Sequence, residues 1–151
     1  MNKPLLQKPA FIKKGEGVKM NVLGDNQTIK LTGKDTNGQF TLIEQFDEPG
    51  VGIPSHIHQN EDEIFRILEG SLKVVIGNET KIVNEGDVVF CPRGIPHSWE
   101  VIGDKKAKTI LTIIPAGLEA MFEELSAIPN GLGDIQKVIE ITSRYNIQFT
   151  Q

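Results

Sequence analysis

Cysteine occurs once in this 151-residue chain, and histidine only three times. A lone Cys91 cannot close an internal disulfide, so nothing in the chain demands an oxidising compartment. An excess of one charge is also missing: 16 Lys and Arg stand against 20 Asp and Glu, a net charge of −4 with a sequence pI near 5.4. With no basic surplus to meet a phosphate backbone, nucleic acid is not an expected partner. No apolar run approaches the roughly 20 residues of a membrane span, so no membrane partner is expected either. The opening stretch MNKPLLQKPAFIKKG breaks its apolar residues with Lys and Pro and lacks the continuous apolar segment of a secretory signal. The expectation is a cytoplasmic globular protein folding as one domain over residues 1–151, a length able to bury roughly 70% of its unfolded surface.

Repeats with a period of about 20–50 residues and low-complexity tracts are missing as well. Lys3, Lys8, Lys13, Lys14 and Lys19 make the start of the chain basic. With no aromatic platform among them, they read as a solvated arm. From about Val18 to Ile114 the text is that of short strands. GQFTLIEQF alternates Phe40, Leu42 and Phe46 against Thr41 and Gln45, and EIFRILEG, SLKVVIGN, ETKIVNEG, DVVFCPRG and AKTILTIIP follow, most of them closed by Gly, Asn or Pro. Such runs predict an all-β antiparallel sandwich or barrel. Crossover helices between them are lacking, which excludes a doubly wound fold. After Pro115 the period changes: Leu118, Met121, Phe122 and Leu125 form a helical stripe. Asp134 then predicts the N-cap of a second helix with Ile135, Val138, Ile139 and Thr142 inward. Both helices are expected against the outside of the sheet or against a partner subunit.

The three histidines are His56, His58 and His97. In His56-Ile57-His58 the two imidazoles share one face of a strand, because alternate residues point the same way. The turn Gln59-Asn60-Glu61-Asp62 follows, and Glu63 opens the next strand on the same face as Phe65 and Ile67. A carboxylate on an apolar face is costly unless something pairs with it, and a divalent ion held with His56 and His58 removes that cost. Imidazole with carboxylate suits Fe, Mn, Ni, Co, Cu or Zn. His97 follows the rigid turn Pro92-Arg93-Gly94-Ile95-Pro96, as a ligand position requires.

These residues resemble the two motifs of the cupin family. The first, G-x5-H-x-H-x3-4-E-x6-G, matches Gly50, His56, His58, Glu63 and Gly70. The second, G-x5-P-x-G-x2-H-x3-N, matches Gly86, Pro92, Gly94 and His97, and departs at its last position, where Val101 replaces Asn. The resemblance implies a double-stranded β-helix, the jelly-roll barrel, with its core at about residues 38–115 and a C-terminal helical extension over 116–151. It also implies one divalent metal held by His56, His58, Glu63 and His97. The segment PAGLEAMFEELSA and the helix expected to end in SRYNIQF are similar to the tails of small monocupins labelled quercetin dioxygenase-like.

An imidazole and carboxylate set that leaves coordination positions open is catalytic in type. The expectation is a metal-dependent dioxygenase acting on a small flavonol, diketone or aromatic substrate, with Glu63 as ligand and proton acceptor. The alternative is a non-catalytic cupin binding a small molecule or sugar, and below it a metal-assisted isomerase or epimerase. Phe40, Phe65, Phe90 and Trp99 are the candidates for the pocket wall. Cys91 reads as a buried, inert thiol, Glu61 as facing water, and Arg66 and Arg93 as solvated. A homodimer is expected, and Ile64 and Leu68 offer an apolar strip that either a second copy or the C-terminal helices would cover.

Overall fold

The computed structural model describes residues 7–150; Lys3 of the basic arm lies outside them, and Lys8, Lys13, Lys14 and Lys19 are exposed. Ten strands precede the helices: β1 (Val18–Val22), β2 (Asp25–Leu31), β3 (Thr41–Asp47), β4 (Gly52–His58), β5 (Asp62–Glu69), β6 (Ser71–Ile76), β7 (Glu79–Asn84), β8 (Val88–Cys91), β9 (His97–Ile102) and β10 (Ala107–Ile114). Helix α1 (Glu119–Ser126), helix α2 (Ile135–Ser143) and a short strand β11 (Ile147–Phe149) close the chain. The strands form two sheets, ordered β1-β2-β3-β10-β5-β8 and β11-β4-β9-β6-β7, and together these make a double-stranded β-helix. Among the described residues no helix is long and apolar enough to cross a membrane.

Alternation decides what each strand buries. On β5, Glu63, Phe65 and Ile67 point inward while Arg66 is exposed; on β10, Ala107, Thr109, Leu111 and Ile113 point inward. Ile43, Ile67, Leu72 and Ile113 are fully enclosed between the sheets. Each contributes about 1.5–3 kcal/mol over an exposed position. The sheet begins at Val18, ahead of the core boundary expected near residue 38, and β2 carries Asp25 and Gln27 into the interior.

Strand β3 reverses an expectation. Its inward residues are Thr41, Ile43, Gln45 and Asp47, whereas Phe46 lies outside with the ammonium groups of Lys106 and Lys108 at 5.0 and 5.3 Å from its ring. Polar side chains hold the interior because they satisfy one another. Thr109 Oγ1 donates to Gln45 Oε1 (2.6 Å), and the Nε2 groups of Gln45 and Gln27 donate to Asp25 Oδ2 at 2.8 and 2.9 Å. The surface aromatic is covered by cations and alkyl stems instead.

The C-terminal segment departs further. Met121, Phe122 and Leu125 of α1 do not lie on the outside of the sheet; they close one end of the cavity between the sheets. Glu119 holds this helix to the barrel, accepting from Thr41 Oγ1 and the Gly33 N–H, both at 2.7 Å. Asp134 caps α2 as expected, its side chain accepting the Lys137 N–H. The buried stripe of α2 is Val138, Ile141 and Thr142, and the expected Ile135 and Ile139 are exposed. The helix stops at Ser143, and the segment expected as its end instead forms β11, turned through Asn146 at φ +59° to pair with β4.

Candidate metal centre

Strands from both sheets bring the ligand residues together. His56 and His58 lie on β4, with β9 pairing on one side (His56 opposite His97) and β11 on the other. Glu63 enters from β5 of the facing sheet. The turn before β9 is tied to the rest of the site by its backbone. The Gly94 N–H donates to the His58 carbonyl (2.8 Å) from φ +81°, a conformation that favours glycine. Arg93, expected to be solvated, forks onto the Asp62 carboxylate at the head of β5 (3.1 Å) and receives a further tie from its own N–H (2.9 Å). Both sequence motifs thereby converge on one point.

All four side chains are buried, and one donor atom from each of His56, His58, Glu63 and His97 lies within 4.8 Å of the others. His97 Nε2 is 2.8 Å from Glu63 Oε2, and His58 Nε2 is 3.5 Å from Glu63 Oε1. Ligands at about 2.1 Å from a common ion would stand about 3.0 Å apart when cis and about 4.2 Å when trans, so the spacing fits a first-row divalent metal. Orientation fits too: His56 Nδ1–H donates to the Pro54 carbonyl (2.8 Å), which leaves Nε2 as the free donor atom.

Charge at the cluster follows from burial and proximity. Burial, with His97 adding to it, pushes the His56 imidazolium down to about 4, so this ring is neutral at pH 7, as a metal ligand would need to be. Burial works against the Glu63 carboxylate as well, but the charge of His58 and the His97 hydrogen bond outweigh it and hold Glu63 at about 2. For His58 burial is again opposed, here by Glu63 and Glu61, and its titration moves up. Glu61 was expected to face water. It is buried instead, with Oε2 3.4 Å from His58 Nδ1, and neither atom has another partner. A carboxylate behind a ligating imidazole fixes its tautomer. The signal for it was the i, i+3 spacing across a tight turn.

The cavity in front of the cluster has a volume of ≈ 60 Å³, room for several waters at about 10–15 Å³ each. Phe65 and Trp99 line it, their rings 6.3 Å apart, together with Leu111 and the α1 residues. Phe90 does not: it is 56% exposed on the outer face of β8, because its partner on β5 is the outward-facing Ile64. Phe40 precedes β3, half-buried, and is not part of the wall. Asp25, Gln27 and Gln45, which sequence reasoning missed, are. Cys91 is buried opposite Glu63 on β8, and burial, reinforced by that carboxylate, pushes its thiol up to about 12, leaving it inert. Val101, where the motif has Asn, packs fully buried beside Leu72 of β6.

Comparison with known proteins agrees with this geometry. Residues 44–114 match the cupin domain family. The chain is 26% identical over 98 residues to quercetin 2,3-dioxygenase of Bacillus subtilis, covering 65% of this chain and 29% of that protein. It is 36% identical over 89 residues to germin-like protein 8-2 of Oryza sativa, covering 51% and 39%. The chain thus spans less than half the length of these curated relatives. In structure it resembles KdgF from Halomonas sp. (TM-score 0.65, 17% identity, 74% of this chain and 99% of that one). An RmlC-like cupin from Shewanella frigidimarina is similar at TM-score 0.61 and 18% identity, covering 74% and 96%. With the motif residues gathered inside a double-stranded β-helix and the domain match lying across them, residues 44–114 of this chain form a cupin domain.

Proposed function

We propose that this cupin is a metal-dependent dioxygenase acting on a small substrate that meets the metal through two oxygens, as a β-diketone or its enol does. One observation carries the proposal. Three imidazoles and a single carboxylate converge beside a largely apolar cavity, a donor set that leaves a six-coordinate ion with open positions. His56, His58, Glu63 and His97 would hold Fe, Mn, Ni, Co, Cu or Zn. The bound ion would supply Lewis acidity and, if redox-active, electron transfer to oxygen.

The chain's own residues do the remainder. Phe65, Trp99 and Leu111 exclude water and leave a slot suited to a slender ligand. Glu63 Oε1, the oxygen not hydrogen-bonded to His97, would take up the substrate's acidic proton. The likeness to the Bacillus subtilis quercetin 2,3-dioxygenase supports the reaction class. The cavity volume favours a diketone over a three-ring flavonol.

The test is metal analysis of untagged protein, then oxygen uptake with diketones, flavonols and catechols after loading with Fe, Mn, Ni or Co. Uptake with a diketone is expected. Oxygen consumption by none of the combinations overturns the dioxygenase, and saturable binding without turnover makes the protein a binding module. Isomerisation of sugar phosphates ranks last: Arg93 is committed to Asp62, and Arg66 faces away from the cavity. We further propose a cytoplasmic homodimer that buries Ile64, Val88 and Phe90 on the outer face of β5 and β8, with light-scattering mass as its check.

A further inference from the structure

The polar group of β2 and β3 opens into the same cavity as the ligands and is not used by them. Asp25, Gln27 and Gln45 are 2%, 4% and 3% exposed, and all three line the cavity. Cross-strand pairing places them. Glu63 shares a row with Ile113 and Thr41; the next inward row is Phe65, Leu111 and Ile43; the one beyond is Ile67, Thr109 and Gln45, with Gln27 beside Gln45. Glu63 and Gln45 are therefore separated by two inward steps along the strands, about 13 Å at 3.3 Å per residue. Apolar Phe65 and Leu111 lie between.

Within this group nearly every hydrogen-bonding atom is occupied. Asp25 Oδ2 accepts from both glutamine Nε2 groups, and Gln45 Oε1 accepts from Thr109. Asp47 Oδ1 accepts the Asn26 N–H (2.7 Å). Deep burial, with Asp47 alongside, raises the Asp25 carboxyl. Two oxygens of the group are left over, buried and without a partner: Gln27 Oε1 and Asp25 Oδ1. A buried acceptor left unmade costs about 1–3 kcal/mol, which a bound donor recovers.

We propose that Gln27 determines specificity: its Oε1 accepts a hydrogen bond from a neutral hydroxyl group at the far end of a slender ligand whose other end chelates the metal. The proposal rests on the chelation proposed above and adds the ligand's second end. A hydroxyl brings one donor to one acceptor. An ammonium brings several donors to a wall with two unpartnered oxygens, and burial disfavours the charge it would add.

The experiment loads the full chain with Co(II) and follows the visible d–d spectrum during titration with diketone chelators. These differ only at the tip of a short aliphatic arm: methyl, hydroxymethyl or aminomethyl. The hydroxyl form is expected to bind about tenfold more tightly than the methyl form, and in Gln27→Met that ratio falls to about one. Equal affinity for the methyl and hydroxyl forms, an unchanged ratio in Gln27→Met, or preference for the amine overturns the hydroxyl subsite. A Co(II) spectrum that responds to no chelator removes the chelation as well, so the two failures are told apart. The methyl–hydroxyl comparison in the parent chain needs no variant and decides the matter should Gln27→Met not fold.

Discussion

Acidifying the metal-free protein should weaken it through His56 in particular. The ring titrates at about 4 in the folded chain against 6.5 for a free imidazole, because burial disfavours its charged form. Between those values the unfolded state binds more protons, so stability rises with pH across the window and is lost as pH falls from 6.5 towards 4. A gap of 2.5 pH units corresponds to about 3 kcal/mol at 1.36 kcal/mol per unit, or roughly 6–12 °C in melting temperature for a domain of this size.

Of its neighbours, His58 and Glu63 act mainly outside this window. The stability His58 contributes is present below 6.5 and is lost only as pH climbs through its raised folded value. Glu63, depressed to about 2, begins to lose its contribution only below 4.5. Asp25 acts in the opposite sense. Its folded pKa is raised, so its contribution is present below 3.8 and declines as pH rises above that. Thermal melts followed by circular dichroism in EDTA at pH 7 and pH 4 would measure these effects. His56→Asn keeps an N–H donor for the Pro54 carbonyl and should flatten the pH dependence by about 3 kcal/mol. Asp25→Asn should steepen it. A His56→Asn chain that loses as much stability on acidification as its parent would refute the assignment.

Two further outcomes test the packing around the site. Val101→Asn restores the motif residue but places an amide beside Leu72 in a fully buried position, and should lower the unfolding free energy by about 1–3 kcal/mol; a neutral or stabilising result would mean that the amide finds partners there. Gly52→Ala should cost about 1–3 kcal/mol, because a Cβ there lands on the Trp99 carbonyl oxygen and within 2.9 Å of Glu100 Cα. Since Gly52 begins the strand that carries His56 and His58, metal content after purification should fall with it, and an unchanged midpoint would contradict the close approach.

The four ligand positions were legible because each is specified locally. His56 and His58 share a strand face by alternation, Glu63 opens the next strand after a tight turn, and His97 follows a turn stiffened by Pro92 and Pro96. The helices after Pro115 were legible from their period, though Ile135 and Ile139 proved exposed. Glu61 was misplaced because a turn residue looks solvated in sequence, and only the approach of β4 and β5 encloses it against His58. Phe40 and Phe90 were misplaced by the assumption that aromatics belong inside; register with β5 turns Phe90 outward.

Residue order alone thus determined the strand-rich class, the three histidines and Glu63 that could hold a metal, and the helical tail, all of which follow from neighbours a few positions apart. Tertiary structure alone decided that α1 closes the cavity, that β11 flanks the ligand strand, and that Asp25, Gln27 and Gln45 join one buried network at the end away from Glu63. Those outcomes depend on which strands lie side by side and on which polar atoms find partners once water is gone. Both are properties of the assembled sheets, and no local window of the chain contains them.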